Sequence, residues 1–156
     1  MSQRKLLAVF LVSMVTLTSA TAADLEWRRY AIPATGLSVD VPFAIFVQDA
    51  GPAEGAIGRR LLTNDHRADL TIKSVPNPEN DPPAAFLEKQ RPPAGIQYRR
   101  DTPAFFAVSS IRNGRTWYNR CNRVNGYMNC VLLNYPASEE RQWDAVVTRI
   151  SLSLAK

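Results

Sequence analysis

The most regular pattern along the chain is a series of short runs of alternating apolar and polar residues, each closed by turn residues. This pattern is typical of half-buried β-strands. Asn113-Gly114 and Asn125-Gly126 each separate two such runs, and Asn-Gly favours a two-residue hairpin of type I′ because both turn residues need a positive φ. The two turns predict an antiparallel three-stranded meander whose strands are Ala104–Ile111, Arg115–Val124 and Tyr127–Tyr135.

Further strands are predicted upstream of the meander, where β-prone runs lie between proline, glycine and polar turn residues. They are Leu25–Ile32, Leu37–Val41, Ala56–Thr63, Ala68–Val75 and Ile96–Thr102. The polar run from Asn64 to Arg67 is the loop between the third and the fourth of these, so the two form a second hairpin.

A short helix is predicted in the middle of the chain. Asp81 is its expected N-cap and Pro82 its first helical residue. Phe86 and Leu87 supply an apolar edge, and the helix must end before the prolines at 92 and 93 because proline disrupts a helix interior.

A second helix is predicted at the C-terminus, with Ser138 as the N-cap and Glu139 and Glu140 at the positive end of the helix dipole. Its apolar positions follow the 3.6-residue period and form one stripe: Trp143, Val146, Val147 and Ile150. Hairpins combined with two helices predict an α+β fold, in which an antiparallel β-sheet is flanked by the mid-chain and C-terminal helices.

The first 22 residues have the pattern of a cleavable export signal. Arg4 and Lys5 precede an apolar run, and Ala20-Thr21-Ala22 is a small-residue cleavage motif. The apolar run is shorter than the about 20 residues that a spanning helix needs. We therefore expect cleavage before Ala23, with the bond before residue 24 as the alternative. The remaining single domain, residues 23–156, is expected to be periplasmic or secreted and not to span a membrane.

The net charge of the mature chain is small. Removing Arg4 and Lys5 from the 19 basic residues leaves 17 against 14 acidic ones, so the formal charge falls from +5 to +3. The basic residues are spread along the chain, and neighbours on a strand point to opposite faces. Nucleic acid is accordingly not expected as a partner.

The two cysteines are predicted to form a disulfide. A two-residue hairpin centred on Asn125-Gly126 places Cys121 opposite Cys130 as a non-hydrogen-bonded pair, with Cα atoms about 4.5 Å apart. This distance suits a disulfide, which spans roughly 4.4–6.8 Å, and an exported protein meets an oxidising compartment. The pair lacks the close sequence spacing of redox-active cysteines, so we interpret it as structural.

Candidate catalytic chemistry is limited to His66, which is the one histidine of the sequence. With Asp65 or Asp69 it could serve a hydrolase, but the three lie in or directly beside a predicted hairpin loop, where such residues are ordinary. A single histidine and two paired cysteines leave no zinc-ligand set. No cofactor is expected, and a non-catalytic domain is favoured over a hydrolase.

A binding surface is the other candidate, because arginines alternate with aromatic residues in the meander. Arg120, Arg123 and Tyr127 could contact an anion, a lipid headgroup or a glycan. The competing interpretation is that the aromatic residues belong to the core of the sheet and that the arginine stems pack along it.

Parts of the chain resemble the PsbP-like α/β family of small exported or lumenal domains. These parts are Trp27–Pro42 with its Val-Asp-Val-Pro ending, the turn and strand of residues 64–72, and Leu132–Pro136 followed by Arg141, Trp143, Asp144, Arg149 and Ile150. The resemblance implies a central antiparallel sheet flanked by helices. It also implies a mostly non-catalytic role in binding partners or assisting assembly, so the favoured hypothesis is a domain that binds a partner protein or a cell-envelope component. The cysteine pair is not attributed to the family at large.

Overall fold

The computed structural model describes residues 25–155, and the predicted signal segment 1–22 lies outside them. Within the described range the chain forms nine strands and two α-helices. The strands are β1 (Trp27–Ile32), β2 (Leu37–Pro42), β3 (Phe46–Pro52), β4 (Ile57–Thr63), β5 (Asp69–Pro76), β6 (Tyr98–Asp101), β7 (Phe105–Arg112), β8 (Arg115–Val124) and β9 (Tyr127–Pro136). The helices are α1 (Pro83–Lys89) and α2 (Glu140–Ser153). This α+β architecture confirms the predicted fold class.

Seven strands form one antiparallel sheet in the order β3-β4-β5-β9-β8-β7-β6, and β1 pairs with β2 in a separate hairpin. The predicted meander is confirmed as β7-β8-β9, with Cys121 opposite Cys130. Asn113 and Gly114 both have positive φ, as a type I′ turn requires. At the second turn only Gly126 does, so that hairpin keeps the two-residue length without the type I′ geometry.

The sheet buries residues on both faces because side chains alternate along each strand. One face is covered by α2 and by the β1-β2 hairpin, and its core includes Leu70, Leu133 and Ile150. The other face is covered in part by α1, which packs Phe86 and Leu87 on β7 and β8. No helix within residues 25–155 has the length and apolar character to cross a bilayer.

Three local predictions are corrected by the structure. Strand β3 was not predicted, because its residues after Phe46 are mostly exposed and polar or small. Helix α1 begins at Pro83 with Pro82 at the N-cap, one residue later than predicted. The Asp81 carboxylate does not cap it, since it binds Lys89 Nζ at 2.6 Å instead.

The predicted cap of the C-terminal helix is also wrong. Ser138 lies within a 3₁₀ turn, Ala137–Glu139, and α2 begins at Glu140 with no side-chain cap. The tighter turn moves the start of the α-helix beyond the serine. Glu139 has another role there, because it pairs with Arg67 and accepts a hydrogen bond from Trp143 Nε1 at 3.4 Å.

Candidate ligand-binding site

A cavity of about 310 Å³ opens between α2 and the meander side of the sheet. Helix α2 packs on β9 and β2, whereas the sheet continues beyond β9 through β8, β7 and β6. The helix-facing side chains of these outer strands therefore form a floor, and one edge of α2 forms a wall. The volume is at the lower end of the about 300–1,000 Å³ that small-molecule sites occupy.

Arg120 is the buried charge of this cavity, with only 7% of the residue exposed. Its Nε donates to Asn122 Oδ1 at 3.0 Å and its Nη1 lies 3.4 Å from Ser151 Oγ. The guanidinium also lies over the Phe105 ring, 4.1 Å from the centroid. Burial lowers the pKa of Arg120, but an arginine side chain remains charged at neutral pH. Its hydrogen-bond partners Asn122 and Ser151 are neutral, and no carboxylate of the described residues forms an ion pair with it.

Arg100 adds a second positive charge at the same end of the cavity. It reaches in from β6, and its guanidinium lies 5.4 Å from the centroid of the Phe105 ring that Arg120 also covers. Pairing of Arg100 with Ala107, and of Ala107 with Arg120, places the two arginines in one row across three strands. Two guanidinium groups thus converge on one aromatic ring.

The middle of the cavity floor is an uncharged polar surface. The Tyr118 hydroxyl and Ser151 Oγ are 2.6 Å apart in a hydrogen bond. Burial raises the pKa of Tyr118, so the phenol is neutral at physiological pH. This pair links β8 to α2 beside Arg120 and fixes the width of the cavity at that point.

The opposite end of the cavity is acidic. Glu140 and Asp144, both exposed, line it from the first turns of α2. Burial raises the pKa of the nearby Tyr135, and the charges of these two carboxylates raise it further. The Thr116 hydroxyl is buried on the β8 side of this end, opposite Tyr135, and its hydrogen-bonding contact with Tyr135 lowers the pKa of that phenol in part.

The residues predicted from sequence as a binding surface do not lie together. Arg120 faces the α2 side of the sheet, whereas Arg123, three positions along β8, faces the other side and donates to Asn80 Oδ1 at 3.0 Å. Tyr127 pairs with Val124, four residues from Arg120 and about 13 Å along the strand. Ligand contact through these residues remains a prediction, but the cavity groups them differently and contains only Arg120. Sequence reasoning missed Arg100, whose position depends on the β6-β7 register.

The disulfide is present between Cys121 and Cys130, with an S–S distance of 2.02 Å and a Cα–Cα distance of 4.1 Å. Each cysteine is 1% exposed and packs in the apolar cluster beneath α1. The bridge is therefore on the face opposite the cavity. It connects β8 to β9 one residue away from Arg120.

His66 lies in an exposed turn with a φ of 57°, and its Nε2 is 2.6 Å from Gln48 Oε1. The Asp65 carboxylate accepts hydrogen bonds from the Thr63 hydroxyl at 2.7 Å and from the Arg67 N–H at 3.0 Å, which lower its pKa. These contacts are those of a hairpin loop, and none of them orients the imidazole towards a carboxylate. Residues 25–155 contain no group of histidine, cysteine, aspartate and glutamate side chains that could hold a metal ion.

The fold is similar to that of a solved structure, the solution structure of cyanobacterial PsbP (CyanoP) from Synechocystis sp. PCC 6803. The TM-score is 0.59 with 12% sequence identity, over 89% of this chain and 98% of that chain. No protein-family model and no curated protein sequence matches the chain. The structural likeness confirms the fold that the PsbP-like resemblance implied, and at this identity it shows the fold alone.

Proposed function

We propose that this domain is an exported, non-catalytic binding module for a partner protein or a cell-envelope component, and that the cavity beside α2 receives an anionic group of that ligand. The observation that carries the proposal is the buried guanidinium of Arg120, which faces a cavity and has no carboxylate partner among the described residues.

The energetics favour a ligand over a purely structural role for this arginine. Transferring a charge from water into a protein interior costs several kcal/mol unless it is paired. Asn122, Ser151 and the Phe105 ring offset part of this cost for Arg120. A carboxylate or phosphate oxygen would offset more of it, because hydrogen bonds between charged groups are the strong ones. A cavity large enough for such a group adjoins the arginine.

The proposed location follows from the cysteine pair and the N-terminal pattern. A disulfide persists in an oxidising compartment, and the positive start, the apolar run and the small residues up to Ala22 are typical of an export signal. A periplasmic or secreted domain with no recognisable catalytic group fits a binding role. The structural likeness to PsbP supports the same role by analogy of fold.

Site-specific crosslinking tests the proposal. A photoreactive amino acid is placed at Leu152, a rim residue of the cavity that is 72% exposed. Val47 on β3, 53% exposed and outside the cavity, is the control position. Each protein is incubated with envelope extract of the source cell, and the crosslinked species are compared in the Arg120→Met and Arg123→Met backgrounds.

We expect a crosslinked species at Leu152 that is absent at Val47, is lost with Arg120→Met and is retained with Arg123→Met. Methionine is similar in length to the apolar stem of arginine, so circular dichroism should show that the Arg120→Met protein is folded. Crosslinking that is unchanged by Arg120→Met would overturn the role of the cavity. Identical species at both positions would show that contact at the rim is non-specific.

A further inference from the structure

The cavity carries four charged side chains, and none of the ion pairs formed within residues 25–155 includes any of them. They are Arg100, Arg120, Glu140 and Asp144. Arg99, the direct neighbour of Arg100 on the other face of β6, shows the contrast. It donates to both Glu88 and Asp101 at 2.7 Å.

The positive and negative groups occupy opposite ends of the cavity. The edge of α2 that forms its wall includes Glu140, Asp144 and Ser151. The Arg120 guanidinium lies beside Ser151, with Nη1 3.4 Å from Ser151 Oγ. Asp144 is seven residues earlier on the helix, about 10 Å along its axis, and Glu140 is eleven residues earlier, about 16 Å. Opposite charges about 10 Å apart along the helix axis thus border the cavity beside α2.

We propose that the cavity binds a zwitterion of roughly tripeptide length, with its carboxylate at Arg120 and Arg100 and its ammonium group at Asp144. An extended peptide spans at most about 3.3–3.6 Å per residue, so three residues cover about 10 Å. The inference rests on the proposed function and names the class of ligand.

A simple anion fits the cavity less well than a zwitterion. Phosphate or succinate would satisfy the arginine end but would leave Asp144 and Glu140 facing a ligand of like charge. The same two carboxylates disfavour a polyanion such as a nucleic acid or an anionic membrane surface. An ammonium group at this end converts the repulsion into attraction, and the opposed charges fix the direction of the ligand.

The test is an NMR titration of the isotope-labelled mature protein with tri-alanine, followed through the amide signals of Tyr118 and Ser151. Tri-alanine amide, N-acetyl-tri-alanine, free alanine and succinate are the comparison ligands. We expect tri-alanine to shift both signals saturably. Removing either terminal charge should weaken its binding about tenfold or more, which is the usual effect of losing a hydrogen bond to a charged group.

Variants distinguish the two ends of the ligand. Asp144→Asn should weaken the binding of tri-alanine, because the variant lacks the negative charge that attracts the ammonium group. The variant should then bind tri-alanine no more tightly than it binds N-acetyl-tri-alanine. Arg120→Met should abolish binding of all the carboxylates, and Arg123→Met, on the opposite face of β8, should change nothing.

Three results would overturn the inference. They are equal binding of tri-alanine and its amide, binding of succinate without tri-alanine, and no shift with any probe at about 10 mM, well above a millimolar Kd. Succinate binding alone would leave the anion site of the proposed function in place. With no shift at all, a crosslink at Leu152 that depends on Arg120 would still support the proposed function with a different ligand.

Discussion

Replacing both cysteines, Cys121→Ala with Cys130→Ala, tests how much the disulfide stabilises the domain. The bridge joins residues nine positions apart. In the chain-entropy description, closing a loop of that size restricts the unfolded chain by about 2.6 kcal/mol at 25 °C. Both sulfur atoms are buried, so their removal also costs packing, roughly 0.8 kcal/mol for each atom of methylene size. We expect the free energy of unfolding to fall by about 4 kcal/mol.

The assay is urea denaturation followed by tryptophan fluorescence, with the oxidised protein and the double variant in the same buffer. Small domains are stable by about 5–15 kcal/mol, so the variant should fold and unfold at a clearly lower urea concentration. Reductant added to the native protein should act slowly, because the 1% exposed cysteines must first be uncovered. A loss below about 0.5 kcal/mol would refute the loop argument. A variant that cannot fold would show that the bridge does more than restrict the unfolded chain.

Three further substitutions, the first with a matched control, test packing and titration. Gly58→Ala should destabilise the domain severely, because the added Cβ would lie 2.0 Å from the Ile72 carbonyl oxygen in the adjacent strand. In the control variant Gly55→Ala the Cβ meets no atom within 4 Å, so the cost should be only about 1 kcal/mol of backbone strain. The two variants are compared by thermal denaturation. Phe106→Ala should cost about 3–5 kcal/mol in urea denaturation, because the ring is fully buried, and a loss under 1 kcal/mol would contradict its place in the core. Because the pKa of Tyr118 is raised, the folded protein holds the phenol proton of Tyr118 more tightly than the unfolded chain does. The resulting contribution to the free energy of unfolding is complete below the unfolded pKa of about 10 and is lost as pH rises through the folded pKa. Tyr118→Phe should therefore flatten the decline of stability above about pH 10, and an unchanged slope would exclude this titration as a cause.

The hairpins could be predicted from the sequence because their determinants are local. The turns at Gly114 and Gly126 fix the register of the meander, and that register alone placed Cys121 opposite Cys130. The alternation of side chains then assigned Arg120 to one face of β8. Each step depended on residues within about ten positions of one another in the sequence, where turn geometry determines pairing.

The order of strands in the sheet could not be predicted in this way. Pairing of β5 with β9 brings Ile72 opposite Val131, and no turn connects those strands. The register between β6 and β7 places Arg100 in the row of Arg120, but the two strands are joined by residues without a tight-turn signature. Strand β3 pairs with β4 through an irregular register with bulges, so its residues do not show a regular alternation.

The cavity is a consequence of this strand order. Strand β9 is central in the sheet, with β5 on one side and β8, β7 and β6 on the other. Helix α2 packs mainly on β9 and β2, away from the edge strand β6. The outer strands are left open on the α2 face while α1 supports β7 and β8 from behind.

The support on the opposite face matters for binding, because a charged group that is held in place before the ligand arrives binds it with a smaller loss of conformational entropy. Arg120 is held by Asn122 on its own strand, and Asn122 Nδ2 donates to the backbone oxygens of Leu154 and Ala155 at 3.2 and 3.0 Å. The chain after α2 is thus tied to the strand that carries the arginine. Cys121 lies between these two side chains in sequence and bonds the same strand to β9. The bridge and the candidate site therefore share one strand, and the disulfide holds the residue next to Arg120 in register with β9.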